Sequence, residues 1–382
     1  MKSWDAIVVG AGIIGLSLAI ALRKQGLRVL VVERAEPGHE ASWAAAGMLV
    51  GNGEELPLPL RTLAVESSRM YPEFVHELED ESGQKIDFRD DGTIFISREG
   101  KFPGGAELLT EQKLEFIEPA IAFDTKDVGR RATASATNSA LPLGTNGLAA
   151  YVSEHSVDPR SLLSAGIKAA RHRGVDISSG TEVKAVLIEN SRATGVKTDK
   201  TSYAAPIVVN CAGAWAACIA PYKFPVRPVK GQMLAVVGGP AIKHVIRGDE
   251  VYMVPRSDGR IVIGSTLEDA GYDKKVNVET IQRLFQAAVN LVPELSKSRK
   301  HEDWAGLRPG TPDELPILGE TDSKGHFIAS GHYRDGILLA PVTAKVMTDL
   351  ILNKSASLDL SALSPARFSD QAHPDDIGAR RD

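Results

Sequence analysis

The chain has 382 residues, of which 43% are hydrophobic and 24% charged, and its formal net charge is −5 at pH 7. This length suits two domains, and the composition is ordinary for a globular protein. The negative charge gives no long-range attraction for nucleic acid or for an anionic membrane, so neither is expected as a partner.

The N-terminus carries a glycine-rich nucleotide-binding fingerprint. Residues 6–9 form an apolar run typical of a buried parallel strand, and Gly10, Gly12 and Gly15 follow it at GxGxxG spacing. Gly10 permits the tight turn from strand to helix, Gly12 lets a pyrophosphate approach the backbone, and Gly15 allows the helix to pack closely on the strand. Because a helix N-terminus presents free N–H groups to phosphates, the segment predicts a dinucleotide site.

An acidic residue, Glu33, closes the next apolar run at residues 29–32. It stands near the spacing of roughly 20 residues expected of the acid that binds a ribose hydroxyl, and its charge disfavours the 2′-phosphate of NADP. Residues 6–22 are also apolar enough to suggest a signal peptide or a membrane span. The run is shorter than the roughly 20 residues of a span, it contains Ser17, and Asp5 spoils a basic leader. We therefore expect a nucleotide fold, no integral membrane segment and a cytoplasmic chain.

The hydrophobic pattern predicts the remaining elements in chain order. Helices are expected at residues 16–25, 60–82, 161–173, 280–292 and 336–352. Strands are expected at residues 92–97, 175–177, 181–187, 207–211, 232–237, 251–254, 260–265 and 326–331. A turn at Ser257, Asp258 and Gly259 separates two of these strands and is a hairpin signature. The segment 224–310 therefore indicates an antiparallel sheet.

A second strand-to-glycine unit occurs where residues 207–211 run into Ala212 and Gly213, and a third at residues 326–331. The predicted fold class is α/β, with a Rossmann-like FAD-binding domain interrupted by a substrate domain built on a mainly antiparallel sheet. This interruption favours FAD over NAD. We place the FAD-binding domain at residues 1–85, 147–222 and 320–365, the substrate-binding domain at residues 86–146 and 223–319, and a flexible tail at residues 366–382.

Candidate substrate contacts lie in three segments rich in arginine, tyrosine and glycine. Arg308 stands between apolar residues and glycines, where a guanidinium is costly unless it has an anionic partner. A planar guanidinium binds a carboxylate through two parallel hydrogen bonds, so Arg308 is the best candidate for a substrate carboxylate. The alternative is that the arginine forms an internal ion pair with an acidic residue of the protein. This alternative is stronger for Arg334, because Asp335 is adjacent. For Tyr252, a structural role on its strand and a role in contacting a ligand are equally consistent with the sequence.

Several segments together resemble the glycine oxidases of the D-amino-acid oxidase family of flavoproteins, over residues 5–352. The most specific pieces are residues 42–49, 228–231, 252–256, 304–311 and 332–341. The resemblance implies a noncovalent FAD, because relatives with a covalent flavin use a cysteine near its C-terminal contact and no cysteine follows Cys218. Neither Cys211 nor Cys218 suggests a disulfide framework, and the nine scattered histidines suggest no metal site.

The resemblance also implies site residues. Substrate would be bound by Arg308, Arg334, Tyr252 and Met48. FAD would be held by Gly10, Gly12, Ile13, Ile14, Gly15, Glu33, Arg34, Ala41, Ser42, Ala46, Gly47, Met48, Val183, Ala212, Gly213, His332, Tyr333, Arg334, Asp335, Gly336, Ile337 and Leu338. A helix N-terminus near Gly336 would stabilise negative charge on the reduced ring. Two departures, Trp43 and Leu267, leave the size of the substrate side chain open.

The activity that the resemblance implies is oxidative deamination of glycine or another small amine by hydride transfer to flavin N5, with no catalytic side-chain base. The products would be an oxo acid, ammonia and hydrogen peroxide, with oxygen as acceptor. A homotetramer and a role in thiamine biosynthesis are further implications. Three alternatives stay open: a sarcosine, proline or D-amino-acid oxidase or quinone-linked dehydrogenase; a non-catalytic flavin-binding subunit; and, from the fingerprint alone, an NAD dehydrogenase.

Overall fold

The computed structural model describes residues 3–51, 56–122, 148–355 and 358–371. Its helices are α1 (Ile13–Lys24), α2 (Ala41–Ala44), α3 (Leu58–Ser82), α4 (Glu111–Ile117), α5 (Pro159–His172), α6 (Val278–Leu291) and α7 (Ala340–Ile351). Its strands are β1 (Ala6–Val9), β2 (Val29–Val32), β3 (Met48–Leu49), β4 (Phe88–Arg89), β5 (Thr93–Ser97), β6 (Glu107–Leu109), β7 (Leu148–Val152), β8 (His155–Val157), β9 (Asp176–Ser178), β10 (Val183–Glu189), β11 (Arg192–Thr198), β12 (Ser202–Ala204), β13 (Ile207–Asn210), β14 (Arg227–Val237), β15 (Val245–Arg247), β16 (Tyr252–Pro255), β17 (Ile261–Gly264), β18 (Arg299–Gly310), β19 (Ile317–Glu320) and β20 (His326–Ser330).

A parallel sheet forms the nucleotide-binding half and confirms the predicted fold class. Its strand order is β19-β20-β13-β1-β2-β9, and only β19 runs antiparallel to its neighbour. Every residue of β1 and β2 is buried, as expected for strands covered on both faces. Helix α1 begins at Ile13 rather than at the predicted residue 16, since the last fingerprint glycine lies inside its first turn. The sheet thus draws its strands from both ends of the chain.

An eight-stranded sheet forms the second half and is mainly antiparallel, as predicted. Its order is β18-β14-β17-β16-β15-β5-β7-β6, and only β15 and β5 are parallel. The hairpin of β16 and β17 turns at Gly259, whose φ of 85° is easy only for glycine. Strand β14 starts at Arg227, five residues before the predicted start, because it pairs along its length with β18. This ladder sets Gly231 opposite Gly306 and Val229 opposite Arg308.

Strand pairing crosses two of the predicted domain boundaries. Strand β7 falls in the predicted FAD-binding range but pairs with β5 and β6 in the eight-stranded sheet. Strand β19 starts in the predicted substrate-binding range but pairs with β20. The domain boundaries stay a prediction. The predicted tail begins inside a 3-10 helix at Pro365–Gln371, and residues 372–382 lie outside the described part of the chain.

The glycine turn after β13 leads into a 3-10 helix at Gly213–Cys218. One further element differs from the prediction. Helix α7 begins at Ala340, not at Gly336, because residues 335–339 form hydrogen-bonded turns and Pro341 suits a first helical turn. None of the helices in the described ranges is long and apolar enough to cross a membrane.

Helix α3 anchors the chain that precedes α7. The Tyr71 hydroxyl donates to the Ile337 carbonyl at 2.7 Å, and the Ser67 hydroxyl donates to the Leu338 carbonyl at 2.6 Å. Tyr71 and Ser67 are fully buried, so water cannot replace either bond. These two contacts fix the backbone at one wall of the cavity described below.

We expect Tyr71→Phe to lower the free energy of unfolding by about 1–3 kcal/mol, because the buried Ile337 carbonyl loses its donor. Urea unfolding of the purified apoprotein measures this loss. Tyr272→Phe is the matched control, since the Tyr272 hydroxyl also donates to a carbonyl but its side chain is 46% exposed. Equal effects of the two substitutions would contradict the assignment of Tyr71 as the anchor.

Candidate functional site

A cavity of about 450 Å³ lies between the two sheets and contains most of the predicted site residues. It reaches from the carboxyl ends of β1 and β2 to the inner face of β14, β16 and β18. The predicted residues that line it are Gly10, Gly12, Ile13, Ile14, Glu33, Arg34, Ala41, Ser42, Ala46, Gly47, Met48, Val183, Ala212, Gly213, Tyr252, Arg308, His332, Tyr333, Arg334, Gly336 and Ile337. The structure therefore brings the N-terminal fingerprint and the candidate substrate residues to one cavity.

Three predicted residues do not line the cavity. A side chain at Gly15 would overlap the Gly10 carbonyl oxygen, so this glycine serves helix packing, as its position in the fingerprint requires. Leu338 is 2% exposed and belongs to the hydrophobic core around α1 and α7. Asp335 lies in the turn before α7, half-buried behind the cavity wall.

The fingerprint leaves room for a phosphate at the start of α1. Gly10 has a φ of 104°, and a Cβ there would stand 2.6 Å from the Cys211 carbonyl oxygen. Gly12 is the N-cap of α1 and has no side chain to occupy the helix end. The Ile13 amide donates to the Ser42 hydroxyl at 3.1 Å. Backbone N–H groups and a hydroxyl at a helix N-terminus fit a pyrophosphate.

The Glu33 carboxylate lies at the end of β2 and is 9% exposed. Its Oε2 accepts from the Ala11 amide at 2.8 Å, and its Oε1 accepts from the Ala35 amide at 3.0 Å. These bonds hold the carboxylate at the cavity wall. An oriented carboxylate there fits ribose hydroxyl donors.

Sequence reasoning missed a cluster at the same end of the cavity. The Arg34 guanidinium lies 3.5 Å over the Trp215 ring and pairs with Glu40 at 2.7 Å. Tyr272 stacks on Trp215, and Lys274 pairs with Glu40 at 3.0 Å. These contacts join residues up to 234 positions apart, so no local signal marks them. The segment bearing Tyr272 and Lys274 thus crosses from the second sheet to the nucleotide-binding half.

The small-residue segment at residues 44–48 is fixed by three donors outside it. The Trp304 indole donates to the Ala44 carbonyl at 3.1 Å, and the Val157 amide donates to the Gly47 carbonyl at 2.9 Å. The third donor, Arg256, is treated separately below. Trp43 does not narrow the cavity, because its ring packs against Trp304 and under the Arg160 guanidinium. The segment is therefore a rigid wall.

Arg308 meets the cavity without a counter-charge. Its Nη2 donates to the Ser265 hydroxyl at 2.8 Å, and its Nη1 donates to the Thr266 carbonyl at 3.1 Å. Among the described residues, no carboxylate lies within the 4.0 Å ion-pair distance of this guanidinium. A side chain at Gly231 would overlap the guanidinium, so glycine makes the space that Arg308 occupies. The internal ion pair raised as an alternative is thus not present within the described ranges.

Tyr252 lines the same cavity as Arg308 but lies on β16, which is separated from β18 by β14 and β17 in the sheet order. Its hydroxyl lies 3.8 Å from the Met233 sulfur, and a Cβ at Gly264 would stand 2.8 Å from that oxygen. Tyr252 is half-buried and lines the cavity. Leu267 also lines it and is 52% exposed, which places Leu267 at the mouth. The Tyr252 hydroxyl and the apolar Leu267 side chain therefore line the same cavity as the Arg308 guanidinium.

Residues 332–337 close the far side of the cavity. The Tyr333 amide donates to the Pro309 carbonyl at 3.0 Å, and Tyr333 has a φ of 47°. Burial lowers the pKa of the His332 imidazole to about 3, and its Nε2 lies 3.1 Å from the Thr343 hydroxyl. The exposed Arg334 guanidinium lies 3.4 Å from the Tyr333 hydroxyl. No carboxylate in the described ranges, Asp335 included, reaches ion-pair distance of it.

We expect Asp335 to make stability fall as pH rises from about 4 to about 6. Desolvation raises the pKa of this carboxyl from 3.8 to about 6. The folded state therefore binds a proton that the unfolded state has already lost in this window, and the stabilisation disappears as pH passes the folded pKa. A shift of this size corresponds to at most about 3 kcal/mol. Asp335→Asn should gain stability relative to wild type across the window in urea unfolding at each pH; parallel profiles would contradict the assignment.

Comparison with known proteins places the chain in a family. Residues 5–350 match the sequence profile of the DAO family, described as FAD dependent oxidoreductase. The bifunctional protein ThiO/ThiG of Synechocystis sp. is 34% identical over 98% of this chain, which spans only 56% of that relative. The hydrogen cyanide synthase subunit HcnC of Pseudomonas aeruginosa is 32% identical over 96% of this chain and 97% of its own length.

Glycine oxidase of Geobacillus kaustophilus is 31% identical over 95% of this chain and 97% of its own length. Its crystal structure aligns with a TM-score of 0.84 at 29% identity, covering 96% of this chain and 99% of that one. The chain belongs to the DAO family of FAD-dependent oxidoreductases. Within it, the similarity to glycine oxidases supports an FAD-dependent oxidoreductase that acts on CH–NH donors.

Proposed function

We propose that the protein oxidises glycine, or another small amino acid or amine, to an oxo acid with release of ammonia and hydrogen peroxide. The observation that carries the proposal is the Arg308 guanidinium, which faces the cavity with hydrogen bonds to Ser265 and Thr266 but no carboxylate from the described residues. A half-buried guanidinium without a counter-charge is stabilised by a carboxylate ligand.

The residues around Arg308 support an amino acid as that ligand. Ser265 and Thr266 use two guanidinium donors and fix the plane of the group, so a carboxylate would meet a pre-oriented fork. Tyr252 adds a hydroxyl to the same cavity, and Met48, which packs in the same hydrophobic cluster as Tyr252, adds an apolar surface. We assign Arg308, Tyr252, Met48 and Arg334 to substrate binding.

The fit of the cavity to FAD rests on the phosphate space at Gly12, the Glu33 carboxylate and the rigid wall at residues 44–48. Bound FAD supplies the acceptor for the hydride of the substrate Cα–H. The protein residues position the substrate and exclude water. No side-chain base is required, since the neutral amine is the reactive form.

Oxygen as acceptor, a homo-oligomeric state, a cytoplasmic location and a role in supplying the oxidised form of glycine for thiamine biosynthesis are part of the proposal. The name of the glycine oxidase relatives supports oxygen as acceptor, and the ThiO/ThiG relative supports the role in thiamine biosynthesis. The homo-oligomeric state and the cytoplasmic location rest on the family resemblance described above. The relative named as a hydrogen cyanide synthase subunit favours one alternative, a flavin-binding subunit of a larger complex.

The test is anaerobic reduction of the purified flavoprotein by glycine, sarcosine, D-proline and D-alanine in separate cuvettes. We expect glycine to bleach the flavin and peroxide to appear when air is admitted. Bleaching only by an amine bulkier than glycine would change the proposed substrate and leave the assignment of FAD as cofactor unchanged. Reoxidation by a quinone or dye without peroxide would favour a dehydrogenase. No bleaching by any amine would overturn the proposed function.

A further inference from the structure

Arg256 is a buried cation behind the wall of the cofactor cavity. It follows β16, and its side chain is 2% exposed. Its Nη2 donates to the Ala46 carbonyl at 2.6 Å, across 210 residues of sequence. Its Nε lies 3.8 Å from Asp158, beyond hydrogen-bond distance. Within the described ranges, Nε and Nη1 have no hydrogen-bond partner.

This arrangement is expensive for stability alone. A buried guanidinium loses its hydration, and one loose ion pair does not restore it. Burial lowers the pKa of Arg256, which agrees with a poorly solvated cation. Asp158 is also shared, because its other oxygen pairs with Arg260 at 3.1 Å. The short hydrogen bond to the Ala46 carbonyl is therefore the main interaction that the buried guanidinium makes.

The Ala46 carbonyl determines the direction of the next amide. In a trans peptide the N–H points opposite to the C=O. Since the Ala46 oxygen is held towards Arg256, the Gly47 N–H points away from it. Gly47 lines the cavity, and Arg256 does not. The described residues provide no acceptor for the Gly47 N–H, although the Gly47 carbonyl is bonded to Val157.

We propose that Arg256 is a positioning residue: by holding the Ala46 carbonyl, it presents the Gly47 N–H as a hydrogen-bond donor to an acceptor atom on the ring of bound FAD. Gly47 has a φ of 76°, and a side chain there would overlap the Val157 carbonyl oxygen, so only glycine fits at this turn of the wall. A donor at the ring stabilises the electron-rich reduced flavin, which raises its reduction potential.

The test compares Arg256→Met with Arg260→Met. Both variants remove a cation from the cluster around Asp158, but only Arg256 contacts the cavity wall. For Arg256→Met we expect a rise of about tenfold in the Kd for FAD, a changed flavin absorption spectrum and a lower reduction potential; about tenfold corresponds to the loss of one hydrogen bond. Arg260→Met should keep the wild-type values of all three.

A wild-type Kd for FAD, absorption spectrum and reduction potential in Arg256→Met would overturn the proposal. Equal shifts in Arg260→Met would also overturn it, because they would show that the loss of a positive charge alone causes the effect. If Arg256→Met does not fold, the rate of amide hydrogen exchange at Gly47 in the wild-type protein tests the proposal instead. Slower exchange on addition of FAD to the apoprotein supports the donor, and unchanged exchange overturns it. The inference concerns the cofactor side of the proposed function, and these measurements need no amine, so a failed substrate assignment leaves them interpretable.

Discussion

Replacing Arg308 by alanine is expected to raise KM for the amino-acid substrate by about 100- to 1,000-fold while FAD stays bound. Removing the guanidinium leaves the substrate carboxylate without its charge partner, and such truncations cost about 3–4 kcal/mol. Arg308 contacts Ser265 and Thr266 rather than the nucleotide-binding half, so the Kd for FAD should not change. Steady-state kinetics and apoprotein titration with FAD measure the two quantities.

Arg334→Ala is the matched control, because Arg334 lines the same cavity but is exposed and, among the residues that the structure describes, contacts only Tyr333, at 3.4 Å. We expect its effect on KM to be at least tenfold smaller. Arg308→Lys should lie between alanine and wild type, since an ammonium keeps the charge and loses the planar fork. Unchanged kinetics in Arg308→Ala would refute the carboxylate assignment.

Gly12→Asp is expected to abolish FAD binding, with Kd raised by about 100-fold or more, without weakening the fold. Gly12 is the N-cap of α1 with a φ of −72°, which any residue adopts, and aspartate is a favoured N-cap. Its carboxylate would stand where the pyrophosphate is expected, and like charges in contact cost several kcal/mol. A Cβ there has the Ser42 hydroxyl at 3.3 Å, which requires a small rotation of that side chain.

Gly12→Asn separates charge from size, because asparagine has the same shape and is neutral. We expect it to bind FAD more tightly than Gly12→Asp by at least tenfold, with the free energies of unfolding of both apoproteins near that of wild type. Titration of the apoproteins with FAD and urea unfolding provide the two readings. Equal FAD affinities in the two variants would show that space, not charge, excludes the cofactor, and would contradict a phosphate at this position.

The nucleotide-binding half could be predicted because its signals are local. The strand, the glycines and Glu33 lie within 30 residues, and the role of each follows from the local strand–turn–helix geometry rather than from distant contacts. The same is true of the hairpin at Gly259. Arg308 was predictable for a different reason: an isolated charge in an apolar run requires a partner, and the structure provides none among the described residues except hydroxyl and carbonyl groups.

The remaining site residues depend on contacts between distant segments. Arg34 meets Trp215 because β2 and β13 lie on either side of β1 in the parallel sheet, so the segments that follow them start at the same edge. Arg256 meets Ala46 because the chain after β16 packs against the segment at residues 44–48. No periodicity in either segment encodes that meeting. The start of α7 was misplaced by four residues because the turns at residues 335–339 have helix-like local hydrogen bonds that a hydrophobic pattern does not distinguish.

The parallel sheet places β1 between β2 and β13, with β20 on the far side of β13, and α1 packs on α7. A ribosome delivers β1 and β13 about 200 residues apart, so β1 emerges long before β13 and β20. Residues 332–337, which close the cavity, follow the N-terminal fingerprint by more than 300 residues. The nucleotide site is therefore completed only when both segments have been synthesised and have folded together, and a nascent chain that stalls before residue 332 lacks one wall of the cavity.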